Sequence, residues 1–396
     1  MRFPRVTLQK YDDLEIPIEP DELEPRSVVT TFLSVFTILT LLTLADFAGP
    51  RAKAPALGAA FVILLLLAAC RYMVPDYGNY QVDFNATPPL GDSNLLQQYE
   101  LIHGEYGYLL LNSIVKTLGG SFPIVAAVVA FVAICANFFV IARLSPFPLL
   151  SILVYYSHLF FNKELILARA GVASAIVLVG LYVYAERRSI MLFLCFVVAA
   201  ALFHAAAFVS IAMIFVFKTQ LRQSHLFAII ITAFAFSLVG RYPTDLLFAA
   251  LEHTNLMPNS LRNYIGYDSY DYRLSPFNPK AIQQLIVIAA LYHWRAVLSA
   301  RIPAFDVLFA AYMVSTLVLI SLSDFAILAA RLATMLSNVE FILVPGLLLA
   351  LAPRERMLGF LAVVGISLVV LLGNLNSDRM PNYENYIADE IVKLVR

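Results

Sequence analysis

Long apolar runs are the feature of this sequence that most restricts its fold. They occur at about 28–45, 56–71, 122–142, 146–162, 166–185, 189–217, 225–240, 281–300, 303–323, 327–352 and 357–373. A helix needs about 20 apolar residues to cross a bilayer, so the chain has room for roughly 10–12 membrane helices. Backbone that faces lipid must satisfy its own hydrogen bonds, which favours helices over open strands. The sequence therefore predicts an all-α, polytopic membrane helix bundle.

Composition excludes the main alternatives to a membrane protein. Of the 396 residues, 61% are apolar and only 14% are charged, whereas a soluble domain carries about 25% charged residues. The 27 basic residues balance the 27 acidic ones, so the net charge gives no reason to expect nucleic acid as a partner. A soluble enzyme, a nucleic-acid-binding protein and a disordered chain are all disfavoured.

Polar segments divide the chain into three parts. Residues 1–27 form a polar N-terminal tail, residues 28–373 an integral membrane domain, and residues 374–396 a polar C-terminal tail. Within the membrane domain, two longer polar stretches at 72–105 and 241–280 are predicted to be extracytoplasmic loops.

Orientation follows from the basic residues of the short connections, which favour the cytoplasm. This placement puts both long polar loops outside and requires the semi-apolar stretch 106–120 not to cross. Residues 189–217 must then cross twice, with a bend near Phe203-His204. In the alternative arrangement, 106–120 crosses and 189–217 crosses once. Basic residues in the N-terminal tail leave a cytoplasmic N-terminus open.

Three arginines stand at the ends or beginnings of apolar runs: Arg71, Arg169 and Arg331. An ionisable side chain inside a span costs about 2.5–3.5 kcal/mol on insertion scales, so it calls for a reason. The guanidinium fork is well suited to holding phosphate oxygens. We therefore expect a site for a phosphate-bearing anion at the outer membrane level. The alternative is that each arginine reaches separately toward lipid headgroups.

Three other ionisable residues are candidates for proton transfer. His204 lies among alanines, which allow a ligand or another helix to come close. Asp76 and Glu105 lie near the two ends of the polar stretch 72–105, each next to a tyrosine. We predict His204, Asp76 and Glu105 as catalytic residues, although the sequence does not rank them. The competing interpretation of His204 is a buried histidine bonded to a neighbouring carbonyl.

Tyrosines concentrate in the two long loops, where their rings could stack on sugars. The predicted sugar-binding residues are Tyr77, Tyr80, Tyr264, Tyr267, Tyr270 and Tyr272. For the tyrosines taken alone, an interfacial aromatic belt is the better explanation. The histidines show no metal-ligand spacing and the chain has no glycine-rich phosphate loop, so we expect neither a metal nor a cofactor.

Taken in order, these motifs resemble those of the EpsG family of Wzy-like exopolysaccharide and O-antigen polymerases. The resemblance begins with Arg71, Asp76-Tyr77 and Tyr80, and continues with Glu105-Tyr106-Gly107-Tyr108. It then includes Arg169 before a run of small residues, Arg187-Arg188 before His204, and Arg331 in a run that reaches Pro345. Pro75 stands where the family usually has glycine, and Ala170 where glutamine is expected, so the resemblance is to a divergent member.

The resemblance implies a multi-pass glycosyltransferase of the cytoplasmic (inner) membrane, with its active site facing the exterior or periplasm. Such an enzyme joins oligosaccharide repeat units carried on a polyprenyl diphosphate, typically undecaprenyl diphosphate, into a polymer. The implied partners are the lipid-linked oligosaccharide, membrane lipid, a flippase and a chain-length regulator, and no nucleic acid. By this reading, Arg169, Arg331 and Arg71 hold the departing diphosphate.

Two other functions remain open at this stage. An O-antigen-ligase-like enzyme or a lipid-phosphate-dependent glycosyltransferase would share the same arginines. A transporter or flippase of lipid-linked sugars should show internal repeats and polar groups along a path through the bilayer. Neither is visible in the sequence, which disfavours transport.

Overall fold

The apolar runs form helices, as their length and hydropathy require. The computed structural model describes residues 25–72, 74–102, 104–217, 223–239, 242–254, 274–376 and 383–385. Nearly all of these residues are helical, and within them strand is confined to one short antiparallel pair. This confirms the predicted all-α class.

The first half of the chain contains eleven α-helices and one β-strand in the described ranges. They are α1 (Pro25–Thr43), α2 (Ala45–Ala48), α3 (Pro50–Ala69), β1 (Arg71–Tyr72), α4 (Tyr77–Ala86), α5 (Leu95–Leu101), α6 (Tyr106–Thr117), α7 (Phe122–Leu144), α8 (Pro148–Tyr155), α9 (Ala168–Arg187), α10 (Ile190–Ala201) and α11 (Met213–Phe217). A π-helix (Tyr156–Ile166) joins α8 to α9, and a 3₁₀ helix (Ala205–Ala212) precedes α11.

The second half continues the helical pattern and ends with the second strand. Its described elements are α12 (Gln223–Leu238), α13 (Tyr242–His253), α14 (Pro279–His293), α15 (Arg295–Ser299), α16 (Phe305–Ser321), α17 (Ala326–Ser337), α18 (Glu340–Gly346), a 3₁₀ helix (Leu347–Ala350), α19 (Arg356–Leu375) and β2 (Glu384–Asn385).

Five helices in the described part of the chain are long and apolar enough to cross a membrane. They are Val28–Ala48, α3, α7, α9 and α19. A sixth span results if α17 is combined with α18 and its 3₁₀ extension, a pair bent by 58°. The other apolar runs in these ranges form shorter helices. The ten to twelve predicted membrane helices are therefore not all present as continuous long helices.

Two local features bear on the path of the chain through the membrane. Residues 189–217 do not form one helix, because α10 ends at Ala201 and His204 adopts an extended conformation before the 3₁₀ helix. Helix α6 has 12 residues and is thus about 18 Å long, well short of a hydrocarbon core about 30 Å thick. Both features fit the arrangement in which 189–217 bends and 106–120 does not cross.

Helix α9 lies at the centre of the bundle, in contact with α7 and α10. Its start packs closely on the π-helix at Gly171, where a Cβ atom would lie 2.9 Å from the Lys163 carbonyl oxygen and 2.8 Å from Glu164 Oε2. Glycine is therefore required by this close approach. The contact fixes the first turn of α9 against the π-helix.

The segment after α19 folds back onto the start of the first polar loop. Strand β2 pairs antiparallel with β1, and Tyr383 donates a hydrogen bond to the Leu67 carbonyl oxygen at 2.7 Å. Residues 383–385 of the predicted C-terminal tail are thus part of the folded bundle, as are Asn374 and Leu375 at the end of α19. Most of the predicted N-terminal tail lies outside the described residues.

Candidate functional site

A cavity of about 250 Å³ lies where the polar loop 72–105 meets the π-helix, α9 and α17. Its lining residues are Asp76, Tyr80, His158, Leu159, Asn162, Lys163, Leu167, Arg169, Ala170, His204, Ala330, Arg331 and Thr334. Five of these were predicted from the sequence: Asp76, Tyr80, Arg169, His204 and Arg331. We refer to this space as the first cavity.

Arg169 is the second residue of α9, so its guanidinium lies beside the positive end of the helix dipole. Its Nη1 donates a hydrogen bond to Glu105 Oε2 at 3.0 Å. The guanidinium carbon also lies 5.0 Å from the ring centre of Tyr80 and 5.4 Å from that of Tyr108. Cation–π contacts at this range hold the charge in place while leaving it at the cavity wall.

Glu105 connects Arg169 to His204, which is 99 residues away in sequence. Glu105 Oε1 lies 3.0 Å from His204 Nδ1 and accepts a further hydrogen bond from the Ala205 backbone N–H at 3.4 Å. Burial raises the pKa of Glu105, but the His204 hydrogen bond and the Arg169 charge outweigh it, so its pKa lies below the usual value. An ionised carboxylate only accepts, so His204 Nδ1 carries the proton that it donates to Glu105.

The other ring nitrogen of His204, Nε2, is the atom that can accept a proton. His204 Nε2 is buried and has no hydrogen-bond partner among the described residues, while the side chain lines the first cavity. A neutral imidazole with its proton on Nδ1 has a lone pair on Nε2. The Glu105–His204 pair therefore has the arrangement of a general base held in one tautomer by a carboxylate.

Asp76 and Arg331 both line the first cavity and are close enough for their charges to interact. Burial raises the pKa of Asp76, and the nearby positive charges of Arg331 and Arg169 partly offset that rise. Asp76 precedes α4, whereas Arg331 lies in the middle of α17. Packing of the polar loop onto the membrane helices is thus what brings the two side chains together.

A buried lysine that sequence reasoning did not select also lines the first cavity. Lys163 lies on the π-helix and donates hydrogen bonds to the Thr334 carbonyl oxygen and to Asn338 Oδ1, the latter at 2.7 Å. The first bond satisfies one carbonyl in the last turn of α17, and the second holds Asn338 at the bend of the broken span. The signal in the sequence is the pair Lys163-Glu164, which interrupts the apolar stretch between 146 and 185.

The structure does not bring all the predicted residues to this cavity. Arg71 is buried, with its guanidinium donating to the carbonyl oxygens of Leu165, at 3.0 Å, and of Ala68, and it is not among the lining residues. Tyr77 packs edge-on against Phe122, with ring centres 4.8 Å apart. The remaining predicted tyrosines, Tyr264, Tyr267, Tyr270 and Tyr272, lie outside the described residues.

The first cavity can bind an anion and accept a proton. Three cations, Lys163, Arg169 and Arg331, line it against one lining carboxylate, Asp76. Among the described residues, no group of three or more histidine, cysteine, aspartate or glutamate side chains could hold a metal ion. The fold and the site together define a polytopic helical membrane protein whose cavity is lined by basic side chains and by a histidine that is hydrogen-bonded to a carboxylate.

The chain belongs to the EpsG family, whose model matches residues 56–386. It is also similar to the amylovoran biosynthesis protein AmsC of Erwinia amylovora, at 24% identity over 248 residues. That match covers 62% of this chain and 64% of AmsC, so the chain spans less than two thirds of the length of this relative. No solved structure matches the chain.

Proposed function

We propose that this protein is a polysaccharide polymerase of exopolysaccharide biosynthesis, acting at the outer face of the cytoplasmic membrane. Its donor is a glycan linked to a polyprenyl diphosphate, and its acceptor is a hydroxyl of a lipid-linked repeat unit. The observation that carries the proposal is that Arg169, Arg331 and His204 line one cavity, while Glu105, which is not among the lining residues, is bonded to both Arg169 and His204. Membership of the EpsG family and similarity to an amylovoran biosynthesis protein support the same assignment.

The two arginines act on the leaving group. As the bond between the anomeric carbon and the diphosphate oxygen breaks, its electron pair leaves with the diphosphate and negative charge increases there. Positive charges already in place lower the free energy of that transition state. Arg169 and Arg331 supply these charges, and the N-terminal turn of α9, whose Leu167 and Ala170 also line the cavity, adds its dipole.

The histidine acts on the acceptor. His204 Nε2 takes the proton of the attacking hydroxyl as its oxygen bonds to the anomeric carbon, and Glu105 stabilises the imidazolium that forms. Of the three predicted catalytic residues, His204 is thus the proposed base. Glu105 is paired to both Arg169 and His204 and orients the base, while Asp76 lies opposite, where a carboxylate can stabilise positive charge at the anomeric centre.

Convergence of the charged groups also favours an enzyme over a transporter. A transporter would require polar groups along a path through both leaflets. Here Arg169, His204 and Arg331 line one cavity together with Asp76 of the polar loop. That clustering is suited to a reaction at one membrane level.

Polymer formation in a defined system tests the proposal. Purified protein in liposomes is supplied with lipid-linked repeat units, and products are separated by size. We expect a ladder with the wild-type protein and a loss of about 10²–10³-fold in rate for Arg169→Ala, the usual effect of removing a group that stabilises developing charge. Arg143→Ala is the matched control, because Arg143 stacks on Phe139 near the end of α7 and does not line the cavity. Equal rates for the two variants would refute the diphosphate role of Arg169.

A further inference from the structure

A second cavity of about 410 Å³ adjoins the first one. The two share three lining residues, His158, Ala330 and Thr334. The second cavity extends between the start of α14 and the face of α17 that carries Ala333 and Ser337. A ligand in it would therefore be separated from the first cavity only by this shared wall.

The chemistry of the second cavity differs from that of the first. Its one lining cation, Lys280, donates to Glu340 Oε2 at 2.9 Å. Glu340 is buried and also accepts from Gln283 at 2.9 Å and from Tyr312 at 3.1 Å. Lys280 is thus paired with a fixed carboxylate and is the one lysine or arginine that lines this cavity, whereas Lys163, Arg169 and Arg331 line the first cavity. A diphosphate would therefore gain less in the second cavity.

Two of the residues that line the second cavity each contain a buried polar atom with no hydrogen-bond partner among the described residues. These atoms are Gln284 Oε1 and Ser337 Oγ, in side chains that are 1% and 2% exposed. A buried polar atom without a partner is costly, typically about 1–3 kcal/mol. Groups of this kind are suited to an uncharged ligand with hydroxyls, because a hydroxyl can donate to the amide oxygen and either donate to or accept from the serine.

We propose that the second cavity is the subsite for the acceptor sugar of the polymerase reaction, with Gln284 and Ser337 as its hydroxyl-binding residues. This inference rests on the proposed function. An acceptor ring bound there directs a hydroxyl past the shared wall into the first cavity, where the Glu105–His204 pair takes its proton. His158, which lines both cavities, contacts the acceptor at the point of crossing.

Direct binding separates the two subsites without relying on turnover. The probes are the lipid-free repeat-unit oligosaccharide and farnesyl diphosphate, each titrated into detergent-solubilised protein by calorimetry. We expect Ser337→Ala and Gln284→Met each to weaken oligosaccharide binding by about three- to tenfold, the effect of one neutral hydrogen bond. Both variants should leave the Kd of farnesyl diphosphate within about twofold. Arg331→Gln should instead weaken the binding of farnesyl diphosphate and leave oligosaccharide binding within about twofold.

Ser315→Ala is the matched control for Ser337→Ala. Ser315 is also buried, but its hydroxyl already donates to the Ala333 carbonyl oxygen at 2.8 Å, and it does not line the second cavity. Its variant should bind the oligosaccharide like the wild type, and thermal unfolding of all variants checks that each one is folded.

The possible outcomes distinguish the two proposals. Unchanged oligosaccharide binding in both Ser337→Ala and Gln284→Met, or no binding by the wild type, overturns the acceptor subsite. If the two variants instead weaken the binding of farnesyl diphosphate, the second cavity holds the isoprenoid chain and the sugar assignment is wrong. If Arg331→Gln leaves farnesyl diphosphate binding unchanged, it is the proposed diphosphate site of the polymerase that fails.

Discussion

Two histidine–glutamate pairs lie beside the adjoining cavities, and they are built differently. In the first, His204 Nδ1 is 3.0 Å from Glu105, a hydrogen bond. In the second, His158 Nδ1 is 3.8 Å from Glu340, too far for one, and Glu340 is occupied by Lys280, Gln283 and Tyr312. The comparison indicates that a carboxylate supports a base only if its other partners leave it directed at the histidine.

The surroundings of the two carboxylates explain the difference. Glu105 stands before α6 in the polar loop and reaches His204 at the break between α10 and its 3₁₀ continuation. Glu340 is the first residue of α18, just after the bend in the broken span. The first carboxylate joins two irregular segments at a cavity, whereas the second holds α14, α16 and α18 together. The first pair is therefore suited to the proposed proton transfer, whereas the second connects helices of the bundle.

The largest expected effect is the difference in polymerisation rate between the His204 and His158 variants. His204→Gln should reduce the polymerisation rate by about 10³-fold, because the proton acceptor is lost. His158→Gln should reduce it by only about tenfold, because it removes one contact to the acceptor. Initial rates at saturating lipid-linked substrate measure both effects. A larger loss for His158→Gln would reverse the assignment of the base.

The next effect tests the role of the orienting carboxylate. Glu105→Gln should lower the rate by about 10²-fold, since the imidazolium that forms on His204 loses its counter-charge. The initial rate at saturating lipid-linked substrate measures this loss. A rate equal to that of the wild type would show that the carboxylate does not support the base.

Glu340→Gln should act mainly on stability. Removing one partner of a buried ion pair costs about 3–5 kcal/mol, but the Lys280 side chain is 30% exposed, and screening by solvent reduces the expected loss to about 1–3 kcal/mol. Asp306→Asn is the control, because its bridge to Arg295 is exposed and worth about 0–1 kcal/mol. Thermal unfolding in detergent should show a clearly lower Tm for the first variant; equal shifts would contradict the architectural role.

The smallest effect is the pH dependence of stability at the first pair. The pKa of Glu105 lies below its ordinary value of 4.5, so its ionised form stabilises the fold. That contribution is fully present above about pH 4.5 and is lost as the pH falls through the lower native pKa. The Tm difference between wild type and Glu105→Gln should therefore close on acidification.

Asp76→Asn should change the Tm in the opposite direction to Glu105→Gln when both are measured against pH. Burial raises the pKa of Asp76 above its ordinary value of 3.8, so its ionised form is disfavoured in the folded protein. The variant should be the more stable protein at neutral pH, and its advantage should disappear below about pH 3.8. A wild type that is more stable than Asp76→Asn at neutral pH would show that the contacts of the carboxylate outweigh its burial.

The sequence by itself determined the fold class and much of the candidate site. Apolar runs of membrane length require helices wherever they occur, because hydropathy acts residue by residue and needs no knowledge of neighbours. An arginine at the start of such a run, as at Arg169, is improbable without a reason, so the sequence also indicated where charge would be concentrated. Arg331 and His204 were selected in the same way, whereas Asp76 and Glu105 were selected as carboxylates next to tyrosines in the polar stretch 72–105.

Only the tertiary structure decided how these residues are combined. Hydropathy does not encode helix rotation or packing, and so it did not distinguish Arg169, at the first cavity, from Arg71, which is bonded to backbone carbonyls. Nor could it pair Glu105 with His204 across 99 residues. Which charges meet depends on the contacts among α9, α17 and the polar loop, and these form only when the whole bundle is packed.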